Sequence, residues 1–387
     1  MTEMVFGAAP ARPSEPILTR WWRTVDRWTV GAVLALIVIG LVVGMAASAP
    51  LADKLNLPTF YFVARQAGFA VVALAVMVGI SMQDPRTVRR LAVMGFCASF
   101  LVILALPAIG TDFGKGAVRW ISLGGMSVQP SEFLKPAFVG TAAWIMAGTF
   151  ERHGPPGKLL SFLLAATCTA VLALQPDFGQ AALVMAVWGG MYFVAGASLP
   201  LLAGLAGAAV AVGSFAYENS EHFARRIDGF LAAEVDPRTQ IGYATNAIQE
   251  GGIFGVGVGE GSVKNTLPDA HTDFIIAVAA EEYGLVACLM VIGLFLFITL
   301  RALSRLQDER DAFPRLAGTG MAVLVGMQAF VNLGVAIRLL PAKGMTLPFI
   351  SYGGSSLIAA GVGMGLLLAM TRKRPQRSAV DALVGRG

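Results

Sequence analysis

Polar residues that could do chemistry are concentrated in short segments that interrupt long apolar runs. Three of these segments are 116–136, 175–179 and 338–356, and each contains both Gly and Pro. Non-helical backbone at membrane depth is tolerated only where it lines a cavity or is buried in protein. The first and third segments supply four basic side chains, Arg119, Lys135, Arg338 and Lys343. We therefore predict a basic, partly polar cavity where these segments meet.

An aspartate at the end of a long loop is the acidic residue of most interest. Asp273 follows His271 and Thr272 and opens an apolar run. Helix-terminus stabilisation is its simplest interpretation, because Thr272 is able to cap a helix and an acid in the first turn suits the helix dipole. His271 is expected to position the loop rather than to bind a metal.

For other polar residues near the apolar runs, a structural interpretation stands beside the functional one. Glu132 lies three residues before Lys135 on one helix face, so the two can pair with each other. Asp177 is able either to cap the following helix or to contact a substrate. Ser355 has no histidine nearby in sequence, so helix packing is a better interpretation than a nucleophilic role. Glu281 and Glu282, well inside a span, are functional candidates by default.

For Glu281 and Glu282 two interpretations stay open. They either satisfy polar groups in the interior of the bundle or pair with Arg65. At about 1.5 Å per residue of helix, they lie too far below Asp273 to share its chemistry.

A glycine-rich stretch precedes Asp273, at 251–262. It contains no G-x-G-x-x-G register and no Walker lysine, and no strand precedes it, so we exclude a nucleotide-binding loop. The glycines are better explained by a re-entrant or tightly folded loop that approaches the helices. No cofactor motif and no metal-ligand spacing is present, and a divalent cation held jointly with phosphate groups stays possible.

Composition defines the class of protein. Hydrophobic residues make up 56% of the 387 and charged residues only 14%, against about 25% in soluble domains. A spanning helix needs roughly 20 apolar residues. Ten such runs predict an all-α polytopic membrane protein of about ten transmembrane helices, at 29–49, 61–82, 90–109, 132–149, 159–175, 179–196, 198–217, 274–300, 314–337 and 347–371.

The distribution of basic residues predicts the orientation. Most of the 29 Lys and Arg fall in the N-terminal arm, in alternate loops and in the C-terminal tail, so both termini are expected in the cytoplasm. The arm (1–28) is expected to be partly disordered and partly interfacial, residues 29–371 to form the membrane domain, and 372–387 a basic cytoplasmic tail. Residues 218–272 then form one long extracytoplasmic loop. A net charge of +5 gives no reason to expect a nucleic-acid partner.

Four ordered motifs resemble a known family. They are R-W-I-S-L-G-G with Q-P-S-E-F-L-K-P (119–136), Q-P-D-F-G (175–179), L-P-D-A-H-T-D-F-I-I-A-V-A-A-E-E-Y-G (267–284) and L-P-F-I-S-Y-G-G-S-S (347–356). Together they are similar to the SEDS family (shape, elongation, division and sporulation), and the likeness extends over roughly residues 20–374. The third and fourth motifs resemble the division branch of that family more than its elongation branch.

The resemblance implies a peptidoglycan glycosyltransferase of the inner membrane, located at the division septum, that polymerises lipid II on the outer face. It implies that Asp273 is the essential catalytic residue. We expect Asp273 to act as general base in a single inverting displacement. Nearby cations weaken a carboxylate as a base, so a positioning or metal-binding role stays open.

Roles for the other residues follow from the chemistry that this reaction would require. We expect four cations to hold the diphosphate of the substrate and Trp120 to stack on a sugar. The diphosphate-binding set is Arg119, Lys135, Arg338 and Lys343. The supporting set is Glu132, Asp177, His271, Thr272 and Ser355.

The resemblance also implies partners, and rival functions stay open. The expected partners are a class B penicillin-binding protein, the division transpeptidase, and other membrane proteins of the division site. The partner's transmembrane helix is expected near the eighth and ninth spans. One rival function is a lipid II flippase or transporter, which would favour a midplane site and internal repeats. The other is a non-catalytic division scaffold.

Overall fold

The computed structural model describes residues 16–111, 118–124, 126–197, 199–232, 236–267, 269–341 and 344–373. These residues form thirteen α-helices and one small β-hairpin. The helices are α1 Ile17–Thr24, α2 Arg27–Lys54, α3 Tyr61–Ser81, α4 Pro85–Ile109, α5 Pro130–Ala147, α6 Gly157–Leu174, α7 Phe178–Val194, α8 Leu199–Asn219, α9 Glu221–Leu231, α10 Gln240–Gly251, α11 Ile275–Leu306, α12 Ala312–Ala336 and α13 Gly354–Met370. The hairpin strands are β1 Ile121–Leu123 and β2 Met126–Val128.

All ten predicted apolar runs coincide with helices, and the all-α polytopic membrane class is confirmed. Six helices of the described chain are long and apolar enough to cross a membrane, and α7 and α13 are shorter apolar helices. One predicted boundary is wrong: the last span was expected from residue 347, but α13 begins at Gly354. The residues before it form turns packed against other helices. The sidedness of the termini stays a prediction.

Two regions that were predicted as loops contain regular structure. The glycine-rich stretch after Trp120 forms an antiparallel hairpin, in which Ile121 pairs with Val128. The long loop at 218–272 contains α9, α10 and a short 3-10 turn at Val263–Asn265. These elements are too short or too polar to stand out beside the apolar runs, which is why the hydropathy pattern did not reveal them.

The eighth span is not the continuous helix that its apolar run predicted. α11 breaks at Gly284, which adopts a φ of 74°. A side chain is disfavoured at this φ, and a Cβ there would lie 2.3 Å from the carbonyl oxygen of Ile253. The break divides α11 into a short first part, which carries Glu281 and Glu282, and a longer second part.

The helix α12 is the central element of the bundle. It packs against α5, α7, α11 and α13, and most of its apolar stretch is buried. By contrast, α11 exposes Leu285, Leu289, Leu296 and Leu300 on its outer face. The helices α5, α7, α11 and α13 all begin at the same end of the bundle, which we call the site end. Their first residues therefore meet there.

At the opposite end of the bundle, an ionic contact joins the N-terminal arm to α11. Asp26 is the N-cap residue of α2 and is buried. Its Oδ2 accepts a hydrogen bond of 2.6 Å from Arg301 Nε, and Arg305 Nε lies 3.1 Å from the same oxygen. Burial raises the pKa of this carboxyl, but the hydrogen bonds from Arg301 and Thr29 and the charge of Arg305 outweigh that effect, so its pKa is lowered.

We predict that Asp26→Asn lowers the stability of the protein by about 1–3 kcal/mol at neutral pH, because a charge-assisted hydrogen bond is lost. The folded state holds the Asp26 pKa below its usual value. The stabilisation is therefore present at neutral pH and declines as the pH falls through the lowered pKa. Thermal unfolding of the purified chain between pH 7 and pH 3 measures this difference.

Asp84→Asn is the matched control, since Asp84 is an exposed N-cap at the start of α4. Asn is as good an N-cap as Asp, so this variant is expected to stay close to wild type. Equal losses in the two variants would contradict a special role for the Asp26 contact.

Candidate functional site

The glycine-rich loop before Asp273 is docked on the first part of α11. Glu281 Oε1 accepts a hydrogen bond of 2.7 Å from the Val263 N–H, and Oε2 accepts one of 3.3 Å from the Lys264 N–H. Lys264 Nζ pairs with Glu282 Oε1 and also donates to the Gly259 carbonyl. All three side chains are buried. The loop at 252–267, which we call the docking loop, is thus held by a buried ionic contact.

Backbone hydrogen bonds strengthen this docking at the break in α11. In a continuous helix, Leu285 N–H would donate to the Glu281 carbonyl. Instead Leu285 N–H donates to the Gly252 carbonyl at 3.0 Å, and the Glu281 carbonyl accepts from Val256 N–H at 2.9 Å. In the same way, Val286 N–H donates to the Ile253 carbonyl, and the Glu282 carbonyl accepts from Gly257 N–H. Two helical hydrogen bonds are therefore replaced by four between the loop and the helix.

This docking decides between the two interpretations of Glu281 and Glu282. Both satisfy polar groups inside the protein: Glu281 accepts backbone hydrogen bonds from the docking loop, and the ionic partner of Glu282 is Lys264 rather than Arg65. The expectation of a tightly folded glycine loop is confirmed. Gly255 has a φ of 85°, and a Cβ there would lie 2.1 Å from the Glu282 carbonyl oxygen, so the close approach requires glycine.

Asp273 lies in a tight turn just before α11. The Asp269 carbonyl accepts hydrogen bonds from the backbone N–H groups of Thr272 and Asp273, and Asp269 itself has a left-handed φ of 54°. The N-cap residue of α11 is Phe274, and it makes no side-chain capping bond. The Thr272 hydroxyl donates to the Asp269 carbonyl at 3.2 Å, so the prediction that Thr272 caps this helix is wrong.

The segment before α13 packs directly against Asp273. Asn332 Nδ2 donates to the carbonyl oxygens of Asp273 at 3.0 Å and Met345 at 2.6 Å, which joins the two segments. A Cβ added at Gly344 would lie 2.9 Å from Asp273 Oδ2. The backbone of Gly344 therefore forms one wall beside the Asp273 carboxyl.

The same segment and the start of α13 also contact His271 and the start of α5. Tyr352 N–H donates to the His271 carbonyl at 2.9 Å, and the two rings lie 5.6 Å apart. The buried Ser355 accepts a hydrogen bond of 3.4 Å from the Gln129 N–H at the beginning of α5. The His271 backbone thus joins the turn before α11 to the segment before α13, and Ser355 joins α13 to α5.

A second group of buried polar side chains occupies the starts of α5 and α7. Lys135 Nζ pairs with both carboxyl oxygens of Glu132 at 2.9 Å, and Gln180 Nε2 donates to Glu132 Oε1 at 2.9 Å. Arg119 donates to the carbonyl oxygens of Gln175 and Pro176 at 3.0 and 2.7 Å. These residues and Asp177 form what we call the ionic cluster. It consists of Arg119, Glu132, Lys135, Asp177 and Gln180.

Asp177 lies inside this cluster as the N-cap residue of α7. Burial raises the pKa of its carboxyl; the charges of Arg119 and Lys135 act in the opposite direction without cancelling the effect of burial. A buried carboxyl with a raised pKa beside cations is the kind of group that functional sites contain. The capping interpretation alone does not account for this environment.

The predicted cavity of four cations is only partly assembled by the described residues. Arg119 and Lys135 lie in the ionic cluster. Arg338 is elsewhere: it has a left-handed φ of 58° and donates to the Ala232 carbonyl of the long loop. Lys343 lies outside the described residues. Trp120 is half-buried, and its carbonyl accepts a hydrogen bond from Thr111 N–H, so its stacking on a sugar stays a prediction.

Three residues at this end were not singled out from the sequence. They are Lys264, Gln180 and Asn332. Both neutral side chains lie within apolar runs and are buried. A buried amide must have hydrogen-bond partners, so a Gln or Asn inside a predicted span was the available signal.

The fold and these polar groups define a polytopic membrane protein with a buried ionic site at one end of its bundle. The family described as "Cell cycle protein" (FtsW, RodA and SpoVE) matches residues 27–376. The chain belongs to this family.

Named relatives and solved structures agree with this assignment. The chain is 41% identical over 366 residues to a "Probable peptidoglycan glycosyltransferase FtsW" of Caulobacter vibrioides, with 94% of each chain covered. It is 35% identical to the protein of the same name in Halorhodospira halophila, with 95% of each covered.

Among solved structures, the RodA of Thermus thermophilus matches with a TM-score of 0.68 at 28% identity, covering 92% of this chain and 99% of that one. A chain from "Structural coordination of polymerization and crosslinking by a peptidoglycan synthase complex" matches with a TM-score of 0.73 at 29% identity, covering 91% and 99%.

We predict that Glu282→Ala destabilises the protein by about 3–5 kcal/mol, because it leaves the Lys264 ammonium buried without its carboxylate. The double variant Lys264→Met/Glu282→Leu, which removes both charges, is expected to recover most of that loss. Thermal unfolding and the rate of proteolytic cleavage within the docking loop measure the two effects.

Glu260→Ala serves as the control, since Glu260 is an exposed acid of the same loop. It is expected to leave both measurements unchanged. Wild-type resistance to cleavage in Glu282→Ala would contradict the proposed docking contact.

Proposed function

We propose that this protein is a peptidoglycan glycosyltransferase that polymerises lipid II at the site end of the bundle during cell division. The observation that carries the proposal is the placement of Asp273. Its carboxyl lies in a constrained turn between α11 and the segment before α13, at the same end as the buried ionic cluster. The names of the relatives support the same activity.

The proposed chemistry needs a base and a means of holding a diphosphate. Asp273 accepts the proton of the acceptor sugar's 4-hydroxyl while that oxygen displaces the polyprenyl diphosphate with inversion. The oxygen–carbon bond forms as the carbon–phosphate oxygen bond breaks, and the leaving diphosphate keeps the electron pair. A single carboxylate suffices, because no glycosyl-enzyme intermediate is formed.

The ionic cluster lies at the same end of the bundle as Asp273 and offers a hydrogen-bond donor for the diphosphate. Arg119 donates hydrogen bonds from Nε to the Gln175 carbonyl and from one terminal nitrogen to the Pro176 carbonyl. In the described structure its other terminal nitrogen has no protein acceptor. That nitrogen is able to donate to a phosphate oxygen. Lys135 is paired with Glu132, so we propose that it holds the cluster in place rather than contacting the diphosphate directly. A divalent cation, where one is used, is held jointly with the phosphates.

An apolar groove beside the cluster suits the polyprenyl chain. It has a volume of about 190 Å³ and lies between α7 and α12. Its lining includes Gly179, Leu183, Met327, Phe330 and Leu340. Because Gly179 follows Asp177 by two residues, a lipid in this groove carries its diphosphate close to the ionic cluster.

A cross-linking partner is part of the same proposal. One structurally similar chain comes from a peptidoglycan synthase complex that coordinates polymerization and crosslinking. We propose a class B penicillin-binding protein as the partner, with its transmembrane helix against the exposed leucines of α11. The neighbouring α12 offers less apolar surface, since other helices cover most of it.

We predict that Asp273→Ala abolishes glycan formation from lipid II in membranes or vesicles where the variant still accumulates, because the acceptor hydroxyl loses its base. Gel or chromatographic analysis of the product measures polymer. Translocation of labelled lipid II is followed in the same vesicles. Polymer at the wild-type rate in Asp273→Ala, or lipid II movement without polymer in wild type, would contradict the proposal.

We predict that Gly344→Ala slows polymerisation by roughly 10–100-fold, because the added Cβ displaces the Asp273 carboxyl. The unfolding temperature is expected to change little, since the contact is with the end of one side chain. Gly68→Ala, on an exposed position of α3 with open space around it, is the control for the substitution itself. A wild-type rate in Gly344→Ala would show that this wall does not position Asp273.

A further inference from the structure

A basic cavity lies at the end of the bundle opposite the site. Its volume is about 360 Å³. Besides Val25 and the buried Asp26, the lining residues are Arg23, Arg27, Trp28, Arg301, Arg305 and Lys373. Five cations thus surround one carboxylate. The proposed glycosyl transfer uses none of them. The positive-inside rule explains why cations are found at this end, but it does not require them to surround a cavity.

Asp26 orients two of these cations but does not neutralise all of them. Its buried carboxylate accepts a hydrogen bond from Arg301 Nε, and Arg305 Nε lies 3.1 Å from the same oxygen. Arg305 also donates one terminal nitrogen to the Thr371 carbonyl. In the described structure, both terminal nitrogens of Arg301 lack a protein acceptor. Among the described lining residues, cations therefore outnumber carboxylates, and several of their hydrogen-bond donors are already held in place.

The surroundings of the cavity are those of a membrane interface. Trp28, in its lining, is 70% exposed, and Trp22 on α1 is also exposed. The short helix α1 is strongly amphipathic and exposes Ile17 and Leu18. Exposed tryptophans beside basic residues are typical of the headgroup level of a bilayer. A ligand in this cavity therefore lies at the boundary between water and hydrocarbon.

We propose that this cavity binds the phosphate of an anionic phospholipid headgroup from the cytoplasmic leaflet. Basic pockets between transmembrane helices on the cytoplasmic side bind such headgroups, and each Lys or Arg near an anionic surface adds to the attraction. A free phosphate ion has the same charge chemistry. The exposed apolar surfaces of α1 and α2 next to the cavity favour the lipid, because they offer contacts for its acyl chains.

The test measures lipid binding to the full chain in micelles, by native mass spectrometry and by lipid-dependent thermal stability. The ligands are phosphatidylglycerol, phosphatidylcholine and inorganic phosphate. We expect phosphatidylglycerol to bind with preference over the zwitterionic lipid, and the preference to fall as the salt concentration rises. Binding of both lipids with equal affinity overturns the proposal, as does binding of inorganic phosphate in preference to phosphatidylglycerol.

A charge-removal pair locates the binding. Arg27→Gln/Lys373→Gln removes two exposed lining cations and leaves the Asp26 contacts with Arg301 and Arg305 intact. We expect it to weaken phosphatidylglycerol binding roughly tenfold or more.

The matched control is Arg86→Gln/Arg90→Gln, which removes two exposed cations of α4 that do not line the cavity. It is expected to bind phosphatidylglycerol like wild type. Equal weakening in the two double variants would mean a general charge effect and would overturn the assignment to this cavity. The salt series on the wild-type chain tests the proposal independently of how well either variant folds.

Discussion

A backbone polar group inside a membrane protein must be paired, and this constraint shapes the site end of the bundle. The break in α11 at Gly284 would leave two carbonyl and two N–H groups without their helical partners. The docking loop pairs all four. Because the same loop leads directly to Asp273, the hydrogen bonds that satisfy the helix break also determine where the proposed catalytic carboxyl lies.

Buried charge reinforces that arrangement. Removing ions from water is costly, and a buried ion pair repays the cost only with good geometry and additional hydrogen bonds. Glu281 has two backbone donors, and Glu282 has the Lys264 ammonium. These contacts therefore specify one position of the loop rather than adding much stability. A loop that slipped by a residue would leave at least one of these charges unpaired.

The two ends of the bundle use charge differently. At the site end, Glu132 and Lys135 pair with each other and Asp177 is buried among cations, so little net charge reaches solvent. At the opposite end, the described residues that line the cavity include more cations than carboxylates. The first arrangement suits a transient diphosphate held during a reaction. The second suits a permanent anionic surface.

Hydropathy alone was enough to predict the membrane class and the position of all ten apolar helices. It failed at Gly284 and before Gly354, because an apolar run does not reveal where its backbone leaves the helix. Motif resemblance singled out Asp273, whereas the residues alone favoured helix capping. The sequence alone does not predict the partners of Lys264, Gln180 and Asn332, because buried pairs between segments far apart in sequence depend on tertiary packing.

The central claim is that Asp273 performs chemistry rather than holding the fold. The most direct measurement compares Asp273→Asn with wild type for both lipid II binding and lipid II polymerisation, using purified chains of equal thermal stability. Asn has nearly the same shape but cannot accept the proton. The account predicts that the variant binds lipid II as wild type does and forms no glycan. Polymerisation at the wild-type rate would contradict it.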